Sequence, residues 1–262
     1  MSRLRARCPH CRTLTAVAVG PDYQCHACGR EFGAGLVRVP RAWGACGERM
    51  AEAAWLELPY PEATVIAEAT LAEQTLALAS DLPARPLVLG GCCCAHVGAV
   101  DGLAQQLAQG DVTLAVAWID AHGDLNTPAS SPSGNPWGMP LRMLIDDGAV
   151  AAENVALIGA RALDPPEVEF IERSGVHTGD GALERALAGT GAVYVALDCD
   201  SLEPGELDVF MPEPHGLRLP ELEELLRDIA SRSRVAGAGL TGLVGAQENE
   251  AKLTRLCTAL GL

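Results

Sequence analysis

Six short runs of unbroken apolar, β-rich residues divide the chain between positions 36 and 262: "LVRVP" (36–40), "PLVLGG" (86–91), "VTLAVAWID" (112–120), "VALIGAR" (155–161), "VYVALDCD" (193–200) and "VAGAGLTGLVG" (235–245). Between several of them lie Ala-, Leu- and Glu-rich stretches of helical character, at 62–80, 95–109, 181–189 and 219–232. A strand with no polar side must be covered on both faces, and strands separated by helices cannot pair as hairpins. The pattern therefore predicts an α/β domain with a mainly parallel sheet, and excludes a β-sandwich or a helical bundle. In such sheets ligands sit beyond the carboxyl ends of the strands. The polar residues just after each run are the ones to inspect.

Two of those strand ends are acidic. "WIDAHGDLNT" (118–127) places Asp120, His122 and Asp124 at alternate positions, and "ALDCDSLEP" (196–204) places Asp198 and Asp200 likewise. Residues two apart in an extended chain share a side, so each set is expected to converge. Four carboxylates and an imidazole gathered at buried strand ends repel one another unless cations join them. Hard oxygens with one nitrogen point to a pair of carboxylate-bridged divalent metals.

The first thirty-five residues read as a separate unit. "CPHC" (8–11) and "CHACG" (25–29) form two CxxC knuckles whose four thiolates, Cys8, Cys11, Cys25 and Cys28, suit one closed tetrahedral zinc site. His10 and His26 are competing ligands, and a redox dithiol is the alternative reading. The turn "GPDY" (20–23) suits a small ribbon, and "SRLRAR" (2–7) is locally basic. Nucleic acid is not an expected partner, because the formal net charge is −15 and no aromatic platform accompanies the basic stretch. At 262 residues and 48% hydrophobic the chain can bury one large core. It shows neither a membrane-span-length apolar run nor the apolar region of a secretory signal, so a cytoplasmic location is expected.

These residues resemble a known family. "DAHGDLNTPASSPSGNPWGMP" (120–140) is similar to the ureohydrolase pattern of arginases and agmatinases, DAHxDxNT followed by SGNxHGxP. "LDCDSLEPGELDVFMPEPHGL" (197–217) resembles the family's second motif, with Glu203 where Asp is usual, and "LGGCCCAHVG" (89–98) stands where the family has GGDHSxxxG. The resemblance spans about 36–262 and implies a three-layer α/β/α domain, a two-manganese centre, hydrolysis of a guanidino or related amidine compound by a metal-bridging hydroxide, and a homo-oligomer. It further implies that Asp120 and Asp198 bridge the metals, that Asp124 completes the first site and handles a proton, and that His122 and Asp200 complete the second. By the same matching Asn126 and Ser133 contact substrate, with Trp137 in the same loop.

The departures bear on chemistry. The family histidine that ligates the first metal falls on Cys93; a thiolate there favours zinc, iron, cobalt or nickel over manganese. His96 is the other candidate ligand, and a weakened first site the third possibility. Cys92 and Cys94 read as small buried residues behind a Gly-Gly turn. Trp137 replaces the family's proton-shuttling histidine, and indole has no suitable proton; His215 is the substitute candidate. Thr241 or Gly242 falls where the family carries a guanidinium-binding glutamate, with Glu248 nearby. Plain arginine is accordingly an unexpected substrate, and a neutral amidine or ureido compound a better one. A degenerate relative serving as a metal-containing binding or regulatory module is the alternative to an enzyme.

Overall fold

The computed structural model describes residues 5–8, 10–19 and 22–262. Part of the basic "SRLRAR" stretch, and Gly20 and Pro21 of the "GPDY" turn, lie outside the described residues. The N-terminal unit is an antiparallel four-stranded ribbon in sequential order: β1 (Arg5–Ala6), β2 (Ala16–Val19), β3 (Asp22–Cys25) and β4 (Glu31–Phe32). The remainder holds β5 (Gly35–Arg38), α1 (Glu48–Ala51), β6 (Glu62–Val65), α2 (Leu71–Ser80), β7 (Pro86–Leu89), α3 (Ala95–Ala108), β8 (Leu114–Ile119), α4 (Pro140–Asp146), β9 (Val155–Ile158), α5 (Pro165–Ser174), α6 (Ala182–Leu187), β10 (Ala192–Asp198), α7 (Leu219–Arg232), β11 (Val235–Thr241) and α8 (Glu250–Ala259). Its seven strands form one all-parallel sheet in the order β6-β5-β7-β11-β10-β8-β9.

Alternate strand residues feed two cores. Leu36, Leu87, Leu89, Ile119, Val195 and Leu197 face α7 and α8, while Val37, Val88, Val116, Trp118, Tyr194 and Ala196 face α2 to α5. Both faces are covered, which is why the strand runs lack a polar side. The chain lays down β5 to β7 on one side, crosses to β8 and β9, then returns to insert β10 and β11 between them. The four neighbours β7, β11, β10 and β8 thus meet where the strand order reverses, the place where open parallel sheets bind ligands.

One expectation needs correction. The stretch 62–80 is not helical throughout: Glu62–Val65 is the edge strand β6, and the helix starts only at Leu71, behind the Thr70 N-cap whose hydroxyl accepts from the Glu73 amide. Pairing with β5 overrides the weak local preference of "EATV". The ribbon also packs against the large sheet rather than standing apart. Arg7 N donates to Glu62 O at 2.9 Å, and a Cβ on Gly35 would lie 2.6 Å from the Tyr23 hydroxyl. The edge of β6 is thereby partly paired.

Helices α2 and α3 approach closely because α3 presents glycine to its neighbour. A Cβ at Gly98 would stand 2.4 Å from the Thr75 carbonyl oxygen and 2.6 Å from Leu78 Cβ. Gly98→Ala gains about 1 kcal/mol of helix propensity, yet must push a backbone carbonyl away, and overpacking of this kind costs about 1–3 kcal/mol. A net fall in the urea unfolding midpoint is expected; a rise would show that the two helices separate freely.

Candidate metal centre

The strand ends bring most of the sequence-predicted donors to one cavity of about 490 Å³. Cys93 follows β7, Asp120 follows β8, Asp198 ends β10 and Thr241 ends β11. Asp120, Asp124, Asp198 and Asp200 are all at most 7% exposed. Their donor atoms fall into two overlapping groups that share Asp120: Cys93, Asp120 and Asp124 in one, and Asp120, His122 and Asp200 in the other, with the atoms of each group within 4.8 Å of one another. Asp198 stands between the groups, its Oδ2 2.9 Å from Cys93 Sγ and its Oδ1 accepting from the Asp200 amide at 2.9 Å.

Alternation along a strand does not bring every donor in. Asp120 and His122 follow it, but Asp124 has φ +53 and enters through a left-handed turn, and Asp200 sits in a 3₁₀ turn over Cys199–Ser201. Glycines clear the space. Gly242 has φ +69, and a Cβ there would lie 2.0 Å from Asp198 Oδ1. Gly123 similarly leaves room for Glu167, whose Oε1 accepts from Leu125 N at 2.9 Å and whose Oε2 accepts from Asp164 N at 2.9 Å.

The electrostatics are those of anions pressed together out of water. Burial, reinforced by the Asp200 charge, pushes Asp198 up to about 7, and burial with the Asp120 charge pushes Asp200 up to about 6. Asp124 is raised well above the carboxylate range by burial and then by Asp120. Its Oδ2 is buried and has no hydrogen-bond partner among the described residues. Burial works against charge on His122, but hydrogen bonds to Asp120 and Asp200 override it and push the imidazole up to about 12. Its Nδ1 lies 3.4 Å from Asp120 Oδ1 and 3.2 Å from Asp200 Oδ2. An orphaned buried oxygen beside three raised carboxylates is a donor set suited to divalent cations.

The other expected residues divide. Asn126 and Trp137 line the cavity, as does the more exposed Ser133. Asn126 is heavily engaged, donating from Nδ2 to Asp164 Oδ2 at 2.8 Å and accepting from the Ser130 hydroxyl at 2.9 Å. Trp137 packs edge-to-face on Phe210, ring centroids 5.7 Å apart, and with Met50 makes an apolar wall. Cys92 and Cys94 are buried, as expected, behind Gly90 and Gly91, which take φ +98 and +68. His96 does not face the donors; it is fully buried and bonded to Tyr194 and Thr241. His215 is a correction: it is exposed, takes φ +66 and is not part of the cavity wall. The loop turns it outward and brings Glu213 in instead, with Oε1 3.8 Å from His122 Nε2. Glu248 is exposed and outside the wall as well.

Sequence reasoning passed over Arg161, which lines the cavity at the end of the run after β9. Its guanidinium donates to the carbonyls of Gly159, Asp200, Glu213 and Pro214 at 2.8–3.0 Å, binding two loops together. Its position beyond a strand end is the signal that could have found it. In the ribbon, the four expected cysteines form a further donor group, with Cys8 and Cys28 sulfurs 3.6 Å apart and Cys11 and Cys25 sulfurs 3.6 Å apart.

Comparison with known proteins bears on the family and the fold. The family model described as "Arginase family" matches residues 49–259. The arginase of Brevibacillus brevis is 38% identical over 145 residues, 45% of this chain and 47% of the relative, and that of Bacillus subtilis (strain 168) is 36% identical over 146 residues, 46% and 48%. The chain spans about half the length of the curated relatives it matches. A crystal structure of arginase from Bacillus cereus superposes with TM-score 0.74 at 25% identity, covering 87% of this chain and 97% of that one. Formimidoylglutamase from Bacillus subtilis shares the fold at TM-score 0.68 and 18% identity, covering 87% of each chain.

The raised carboxylates give a pH dependence. Asp198 and Asp200 bind protons more tightly folded than unfolded, where they titrate near the ordinary 3.8. Their contribution to stability is therefore greatest below about 4 and is lost as pH rises through the folded values of about 6 and 7. Chelator-treated protein should show a urea midpoint that falls between pH 4.5 and 7.5. Divalent metal binds the deprotonated groups and should reverse that slope; equal profiles with and without metal would contradict it.

Proposed function

The chain belongs to the arginase family, and from that premise we propose that it is a binuclear metal-dependent hydrolase of C–N bonds in a linear amidine, guanidino or ureido compound. The observation that carries the reading is the pair of donor groups sharing Asp120. Asp120 and Asp198 would bridge two divalent ions, with Cys93 and Asp124 completing the first position and His122 and Asp200 the second. Bound there, the ions supply Lewis acidity and bring the pKa of water toward neutrality. Manganese is favoured by family; a sulfur donor opens the first position to zinc, iron, cobalt or nickel.

The protein's own groups supply the rest. Asp124, whose Oδ2 has no hydrogen-bond partner among the described residues, would hold and pass the proton as the C–N bond breaks. Trp137, Phe210 and Met50 exclude water on one side, while Asn126 and Ser133 offer polar contacts on the other. The wall carboxylates outside the donor cluster already have partners: Glu167 accepts a backbone amide on each oxygen, and Asp164 accepts from Asn126. A side chain at Gly242 cannot supply another. A charged guanidinium would therefore forgo a charge-assisted bond of about 1.5–3 kcal/mol, so the substrate is better read as a neutral or weakly basic amidine or ureide than as arginine.

On this reading the ribbon over 1–35 carries one structural zinc on Cys8, Cys11, Cys25 and Cys28, beside a hydrolase domain over 36–262. The same proposal includes a cytoplasmic homo-oligomer acting on a small molecule. No described helix is long and apolar enough to cross a membrane.

Three experiments test these readings. Metal analysis should find about three equivalents per chain, with Cys25→Ser losing one and Asp120→Ala losing the other two; one tightly held zinc with no turnover would favour the binding-module reading. On a panel of guanidino, ureido and amidino compounds, neutral members should turn over faster than arginine. Asp124→Asn should lower kcat by about 10²–10⁴-fold, and an unchanged kcat would remove Asp124 from its role.

A further inference from the structure

Behind Cys93 runs a line of buried polar groups that the proposed reaction does not use. His96 Nδ1 lies 3.1 Å from the Tyr194 hydroxyl, His96 Nε2 lies 3.1 Å from Thr241 Oγ1, and Thr241 Oγ1 lies 3.3 Å from Cys93 Sγ. Tyr194, His96 and Thr241 are all 0% exposed. Room for the line is made at Gly239, where a Cβ would meet the Tyr194 hydroxyl at 2.5 Å and the His96 ring at 2.6 Å. A buried polar chain through an apolar core is costly unless every member is satisfied.

Satisfaction fixes its direction. Among the described residues the Tyr194 hydroxyl has His96 Nδ1 as its one hydrogen-bond partner, so it must donate there. His96 then carries its proton on Nε2 and donates to Thr241, which accepts and is left to donate onward. Cys93 Sγ at 3.3 Å and the Leu197 carbonyl at 3.4 Å are the two acceptors within reach. The contact to the carbonyl is long for an O–H···O bond, usually about 2.7–2.8 Å, whereas Cys93 has its proton directed to Asp198 and its lone pairs free.

We propose that Tyr194, His96 and Thr241 are positioning residues that aim a hydrogen-bond donor at Cys93 and so present its sulfur as a ligand to the first metal position, giving that position a preference for a thiophilic divalent cation. The inference rests on the metal reading above, but not on turnover. His96 thereby becomes a support of Cys93 rather than its replacement. Partners that orient a metal ligand in this way typically change affinity by about 10–100-fold when removed.

The test is a cobalt(II) titration of the full, chelator-stripped chain, followed by absorption. The ribbon cysteines contribute equally to every variant, so the sulfur-to-cobalt band present in the wild type and missing in Cys93→Ala isolates the Cys93 contribution. Thr241→Val should weaken that increment's midpoint about 10–100-fold and shift its band, and Thr241→Ser should restore both. If Thr241→Val does not fold, Tyr194→Phe carries the test, with weakening in the same direction. Identical spectra for wild type and Cys93→Ala would overturn the inference while leaving the hydrolase reading standing. Thr241→Val or Tyr194→Phe with unaltered cobalt binding would overturn it too. A normal Cys93 band without hydrolysis of any panel compound would sink the activity reading alone.

Discussion

The mutual repulsion of four buried aspartates is the constraint around which the rest of the molecule is arranged. Asp120, Asp124, Asp198 and Asp200 would be unfavourable neighbours in any dry environment, and His122 supplies only one positive charge among them. Arg161 is close, but its guanidinium is committed to backbone carbonyls. A fold that keeps such a cluster does so for something the anions hold, and the whole sheet serves to bring four strand ends to one point. The strand order, with β10 and β11 inserted last, creates that point between two independently laid halves.

Close approach then dictates small residues. Gly242 lets Asp198 turn inward, Gly123 admits Glu167, and Gly239 opens a slot for His96. Each is fixed by what stands opposite, so the lining of the cavity and the packing beneath it are one design. Cys93 lies at the seam, touching carboxylates on one side and the Thr241 hydroxyl on the other.

The sequence disclosed the sheet because β7, β8, β10 and β11 are apolar on both faces, as strands must be when helices cover a sheet from either side. It disclosed the donors because they follow those strands directly. It misled over Glu62–Val65, where an edge strand owes its form to a partner rather than to its own residues. It also misled over how Asp124 and Asp200 arrive, since a left-handed turn and a 3₁₀ turn leave no period-two signature. His215 and Glu213 are two residues apart in one loop, and nothing local tells which points inward; Arg161 settles it by binding the Glu213 and Pro214 carbonyls. The apolar wall of the cavity was the least legible part, because Phe210 and Met50 come from a loop and a short helix whose placement depends on the finished core.

That same guanidinium makes the cavity rim asymmetric. Arg161 fastens the loop bearing Glu213 to the backbone of Asp200, so this side can move only by disturbing the donors themselves. The rim around Ser131 to Asn135 is tied instead by its own serine hydroxyls, by the Ser131 amide donating to the Thr127 carbonyl at 3.0 Å, and by the Ala45 amide donating to Asn135. The two parts of the mouth therefore differ in what ties them: a guanidinium anchored on the backbone that carries the charges on one, and short-range serine and amide contacts on the other.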